Sequence, residues 1–355
     1  MLTASKDYGH QAKIAGGRTS GEMFRARGDL RETGSSDADR LSGEMFRALG
    51  DLGVSLTRSA SAVTPGSGVW RVRFDPAEHG AALARHVRVR LGVRTAALLA
   101  AEGSYGDRFM GSFWDAFVDL GGEVIAAERF QPGRSNEERR ALVQRVFGLR
   151  APDGEVAPRP DAMLLVGRGR SGGRQREDLL EMKSILSHAK SLGIPIRTDP
   201  SRSGPVQVLG DATWNDRMAI DLGEYLTNNV LFVDGYVDGP GPGKRDRFRS
   251  RFYAAASHLP VGDRRPTTLD AISYDATQLL ARHLEGLDGD DHGARLDLAS
   301  RIGSAGRFHG VTGTIDLTEG EGPGRSPWIL TVDGDEIRAR RDVDEDGEQP
   351  GDSSP

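Results

Sequence analysis

Six residues between a predicted strand and a predicted helix, Gly167-Arg168-Gly169-Arg170-Ser171-Gly172, have the types and spacing of a phosphate cradle. In a G-x-G-x-x-G loop the glycines let the backbone approach a pyrophosphate at a helix N-terminus. The next predicted strand ends at Asp199, an acid suited to a ribose hydroxyl, but it lies 27 residues past Gly172. The usual interval is roughly 20. A Gly/Arg-rich surface loop accounts for the same residues. Polar groups also follow other predicted strands. Ser59, Ala60 and Ser61 come after VSLT, Ser104 and Tyr105 after TAALLAA, and Asp211 and Thr213 after VQVLG. Open α/β sheets bind ligands at the carboxyl ends of their strands. Hydroxyls and helix N-termini suit a carboxylate there, and an acid suits an ammonium. Taken singly, each residue also suits a cap or a turn.

Other chemistry finds little support. His79 and His86 fall seven apart on one predicted helix with no third ligand and no H-E-x-x-H spacing, so no metal site is assigned. The absence of cysteine removes thiolate nucleophiles, thiolate metal sites and disulfides. With no G-x-S-x-G elbow and no Walker sequence, the chain offers no catalytic residue, and no cofactor is assigned.

The elements that would position these groups alternate. From Leu52 onward, short strands and helices follow one another, the pattern of an α/β fold with parallel strands. Strands are predicted at 54–57, 69–74, 95–101, 123–130, 162–166, 194–198, 206–209 and 230–236. Helices are predicted near 41–49, 78–91, 107–120, 136–149, 174–192, 218–222, 244–258, 268–287 and 294–302. AALLAA and AMLLV are short and continuously apolar, as in strands covered on both faces. Phe109, Phe113, Ala116, Phe117 and Leu120 form the apolar stripe of a core helix. Beyond 302 the pattern becomes β-like, with Gly310–Leu317, then Trp328–Ile337 and a hairpin turn at Asp333-Gly334.

The chain has 355 residues, enough for two domains or one fold with two lobes. Its 47 basic and 52 acidic residues leave a formal charge of −5 with interspersed signs, which gives no footprint for nucleic acid. No apolar run is long enough to span a membrane. SGEMFRARGDL (Ser20–Leu30) recurs as SGEMFRALGDL (Ser42–Leu52), read as a local duplication of one helix. Residues 342–355 hold six acids and no base, the composition of a solvated, disordered tail.

Five segments, in order, resemble the leucine-type, type I periplasmic solute-binding proteins. Val93–Gly133 is similar to the entry into their second lobe, with Tyr-Gly, a helix, a Gly-Gly-x-Val strand and a Pro-Gly loop. LGDLGVSLTRSASAVTPGSGVWRVRF resembles an upstream helix and two strands, ISYDATQLL a later helix, and FHGVTGTIDL the return strand. VQVLGDATWND with LTNNVLFVDGYVDG is closest to the penicillin-binding protein activators. The resemblance implies a two-lobed (Venus-flytrap) α/β fold with doubly wound parallel sheets. Residues 36–92 with 244–310 would form lobe 1, and 93–243 with 311–340 lobe 2. The segment 1–35 would be a poorly ordered or truncated start, and 341–355 the disordered tail. Nothing in 1–35 corresponds to the family's opening strands or to a signal peptide, so lobe 1 is expected to be incomplete.

The same resemblance implies a non-enzymatic role, with a small polar, amino-acid-like ligand in the interlobe cleft, an ABC-transporter permease as partner, and a periplasmic location. A regulator of cell-wall synthesis acting on a synthase is the alternative. A dinucleotide-binding enzyme using Gly167–Gly172 is the alternative of a different class. Ligand carboxylate contacts would fall at Ser59, Ala60 and Ser61. Tyr105 would lie over the ligand, and Asp211 would hold its ammonium. Ser35 and Ser36 match an earlier loop loosely. Arg168 and Arg170 stand where the family often carries a tyrosine, which favours an anionic ligand.

Overall fold

A computed structural model describes residues 70–147, 159–169, 174–199, 201–202, 204–223, 226–239, 243–258, 265–287, 292–317 and 325–340. The predicted strand at 54–57 and the repeat at 20–52 lie outside them.

The largest unit is a seven-stranded sheet. Five parallel strands, β1 (Thr95–Ala101), β2 (Glu123–Phe130), β3 (Ala162–Val166), β4 (Gln207–Gly210) and β5 (Leu231–Asp234), lie in the order β2-β1-β3-β4-β5. Beyond β5 the sheet continues with an antiparallel hairpin, β8 (Trp328–Asp333) and β9 (Glu336–Ala339). The hairpin turns at Gly334, whose φ of 62° suits glycine.

The continuous apolar strands are buried on both faces, as their composition requires. Ala97, Leu99, Met163 and Leu165 face α3 (Asn136–Val146) and α4 (Gln175–Ser191), whereas Ala96, Leu98, Leu164 and Val166 face α1 (Pro76–Arg85) and α2 (Ser104–Asp119). In α2 the stripe of Phe109, Phe113 and Phe117 is buried, and the last two rings stack with centroids 5.5 Å apart.

Helix α1 begins with a capping box. The Asp75 side chain accepts from the backbone at the third helical position, and Glu78 reaches back to the Asp75 N–H. Gly80 then lets α1 pack directly on α2, since a Cβ there would lie 2.3 Å from the Phe109 carbonyl oxygen. Residues 76–92, grouped from sequence with lobe 1, therefore pack on the sheet of the second. A single π-helical turn, His86–Arg90, follows where one continuous helix to 91 was predicted. The wider turn keeps Val87 in the core and leaves Val89 and Arg90 exposed.

A smaller unit gathers α7 (Thr268–Leu284), α8 (His292–Gly303) and a two-stranded hairpin of β6 (Arg307–His309) and β7 (Thr314–Asp316). Ile272, Leu279, Leu298, Ile302 and Ile315 share its core with Val72. β7, grouped from sequence with lobe 2, belongs to this core; only β8 and β9 join the large sheet. Asp275 ties α7 to the hairpin turn by accepting from the Val311 and Thr312 N–H groups at 2.7 and 2.9 Å. Between β5 and α7 lies α6 (Lys244–Ala255), and α5 (Arg217–Gly223) follows β4.

Two predicted strands are not formed. Residues 70–74 are irregular. The 194–198 segment keeps one parallel bridge, Ile196 to Val206, before an Asp199–Ser201 turn takes the chain away.

The chain passes between the two units near Phe74, after Asp234 and ahead of Trp328. Phe74 is the common contact of these passages. A Cβ on Gly235 would lie 3.2 Å from its ring, and the Arg325 guanidinium stands 5.0 Å from its centroid. The His79 ring lies 5.2 Å away on the α1 side.

Candidate functional site

Strands β1, β3 and β4 are neighbours, and the loops beyond their carboxyl ends converge. The crossover from β1 leads outward to β2 on one side while β3 lies on the other, so a crevice opens above this switch of direction. Tyr105 enters from the loop after β1, Gly167 and Gly169 from the loop after β3, and Asp211 with Thr213 from the turn after β4.

The structure brings Tyr105 and Asp211 into contact. Asp211 is fully buried. Its Oδ1 accepts from the Gly167 N–H at 3.2 Å and its Oδ2 from the Thr213 hydroxyl at 2.8 Å. The Tyr105 hydroxyl and the Thr213 N–H are further hydrogen-bond partners. Burial raises the carboxyl to about 6, against the opposing pull of those donors. Burial and the Asp211 charge together push the Tyr105 hydroxyl well above the usual phenol range, so it stays protonated.

Gly169 fits against the Tyr105 ring. Its φ is 78°, and a Cβ there would meet the ring at 2.9 Å. Trp214, fully buried, donates from Nε1 to the Leu165 carbonyl and pins the Asp211 turn to β3. The tyrosine is thus held from below by an acid and from the side by a glycine.

The Gly/Arg loop does not form the phosphate cradle that its spacing suggested. Asp178, in the first turn of α4, fills the place an anion would take and accepts from the Arg168 N–H at 2.8 Å. Arg168 folds back, donating from Nε to Asp178 at 2.8 Å and from Nη2 to Glu177 at 2.8 Å. Two acids at a helix start repel a pyrophosphate. Arg168 is therefore not the free cation expected in the cleft. Arg170, Ser171 and Gly172 lie outside the described residues, as do Ser59, Ala60, Ser61, Ser35 and Ser36.

Several polar groups near Tyr105 and Phe74 escaped the sequence reading. Asp234, at the end of β5, is 1 % exposed and accepts from Asn215 at 2.7 Å and Thr268 at 2.6 Å. Asp75 takes Arg108 of α2 at 2.7 Å. Arg73 acts electrostatically on both Tyr105 and His79. Burial lowers His79 to about 4, so its imidazole is neutral at pH 7. The alternation in Arg71-Val72-Arg73-Phe74, with Val72 and Phe74 buried, is the one signal that could have turned Arg73 away from the core. A surface depression between α2 and β2, lined by Met110, Trp114, Ala127 and Arg129, includes none of these groups.

No family model matches the chain, and no curated protein matches it by sequence. Solved structures do match in fold. A leucine-binding protein of Thermotoga maritima superposes with a TM-score of 0.59 at 20% identity, covering 83% of this chain and 76% of its own. A solute-binding protein of an ABC transporter from R. palustris, in complex with benzoate, gives 0.57 at 18%, covering 77% and 64%. An ABC-transporter substrate-binding protein of Desulfitobacterium hafniense, in complex with leucine, gives 0.53 at 18%, covering 77% and 68%. The chain has the mixed α/β, two-lobed architecture of type I periplasmic binding proteins, with a mainly parallel sheet.

Among the described residues no helix is long and apolar enough to cross a membrane.

Proposed function

We propose that this chain is a non-enzymatic solute receptor that closes two lobes on a small polar ligand and presents the closed form to an ABC-type importer. The observation that carries this reading is the Tyr105–Asp211 pair, placed where three strand ends converge at the switch point of the sheet. Structural neighbours with this fold hold leucine or benzoate, which supports the ligand's size and its carboxylate. Tyr105 forms one wall, and Ser59, Ala60 and Ser61 offer hydroxyls and N–H groups for the facing wall. Asp211 acts on the ligand through Tyr105, whose hydroxyl it fixes. An extracytoplasmic location fits such a role. The cell-wall regulator alternative rests on sequence resemblance alone.

The mechanism is differential affinity. Contacts from both lobes are complete only in the closed form, so ligand shifts the population toward it. Calorimetry on the full chain with a panel of amino acids and small organic acids is the direct test. A saturable one-to-one isotherm that Tyr105→Ala weakens supports the receptor; no heat and no thermal shift across the panel removes it.

A further inference from the structure

The hydrogen bonding around the crevice is lopsided. Every carboxylate near Tyr105 and Phe74 already has its acceptors filled. Asp211 serves Gly167, Thr213 and Tyr105, and Asp234 serves Asn215, Thr268 and the Gly235 N–H. Asp75 takes Arg108 and Ala77, and Glu78 takes Arg71. Asp275 is spent on Val311 and Thr312. Glu102, the acid at the end of β1, is turned to Gln131 and Arg134.

The cations show the reverse. Arg325 buries its Nε, Nη1 and Nη2, and none of the three has a hydrogen-bond partner. Its only close company is the Phe74 ring and the Cδ contact with the Gly313 position. Burial depresses it to about 10, which leaves it charged at pH 7. Arg73, next in sequence to Phe74, has no hydrogen bond or ion pair among the described residues, and both guanidiniums act on His79. Buried donors without acceptors are costly, more so on a charged group. The charges of Arg73 and Arg325 against Asp211 and Asp234 sum to zero, so the local field does not choose the ligand's sign. Unmet donors do.

Resting on the solute-receptor reading, we infer that the ligand is an organic carboxylate without an α-ammonium group, its carboxylate received by Arg73 and Arg325 beside Phe74. A guanidinium offers a planar fork of donors that matches a carboxylate. A zwitterionic amino acid would bring an ammonium for which none of these acids has a free acceptor.

The test compares leucine with 4-methyl-2-oxopentanoate, which has the same skeleton with a keto oxygen in place of the ammonium, and adds benzoate as an aromatic carboxylate. Titration calorimetry on the full chain at pH 7.5 should show at least one of the two ammonium-free acids binding tenfold or more tighter than leucine. Arg73→Gln should weaken that acid tenfold or more, and Arg73→Lys should recover only part of the loss. Arg325→Gln should do the same, with circular dichroism and the Arg73 variants guarding against misfolding. Leucine binding as tightly as either acid, or Kd unchanged in Arg73→Gln, overturns the ligand class and leaves the receptor reading standing. Failure of every amino acid and organic acid to bind overturns both.

Discussion

Asp211 and His79 are buried groups whose shifts run in opposite directions. Asp211 rises from 3.8 to about 6, so the folded chain binds its proton more tightly than the unfolded chain does. Stability from this group is greatest below about pH 4 and is lost as pH rises through 6. His79 falls from 6.5 to about 4, so its contribution is present above 6.5 and lost as pH falls through 4. Each shift amounts to about 3 kcal/mol at 1.36 kcal/mol per pKa unit, and the two nearly cancel between pH 4 and 6. Asp211→Asn should therefore make the protein acid-sensitive in that window, and His79→Gln should make it gain stability there. Urea unfolding at pH 4.5 and 6.5 reads both; parallel curves for wild type and both variants would contradict these assignments. Gly169→Ala introduces strain at positive φ and a clash with the Tyr105 ring. It should cost about 1 kcal/mol and weaken ligand binding, measured by thermal melts and calorimetry. Tyr105 and Asp211 were legible in the sequence because strand ends advertise themselves by the polar residues that follow apolar runs. Arg325 was not, because an arginine after a Pro-Gly segment reads as solvent-facing and only tertiary packing buries it.

Helices and strands show where local pattern suffices and where neighbours decide. The buried α2 stripe and the β1 and β3 runs follow directly from apolar spacing. The 194–198 run is as apolar at its start, yet pairs at one residue, because its chain turns off at Asp199. Nothing in the sequence marks α1 as a layer of the large sheet either; its small residue Gly80 acquires meaning only against α2. Gly80→Val should push α1 off α2 and destabilise by about 1–3 kcal/mol, the range for overpacking. An unchanged urea midpoint would refute the close contact. At the α3 start, Ser135 and Glu138 form a reciprocal capping box. Ser135→Ala should cost about 1 kcal/mol, read from the same midpoint. The absence of any loss there would mean that α3 is held by packing alone.

At the scale of the whole molecule, the alternating pattern was enough to give a parallel α/β sheet, but not the way the chain returns to it. Three passages meet at Phe74, which makes that ring the pivot on which any closing motion turns. Ligand that binds the folded form alone should raise stability by about 2.7 kcal/mol at a hundredfold excess over Kd. Closure should also reduce the radius of gyration in solution scattering. A melting shift without compaction would place the ligand within one lobe. The antiparallel order at the sheet's end also bears on synthesis. β5 pairs on its far side with β8, nearly a hundred residues later in the chain. A nascent chain leaving the ribosome must expose that apolar edge until almost its last strand emerges, so this sheet matures late and is the point at which a chaperone would find it.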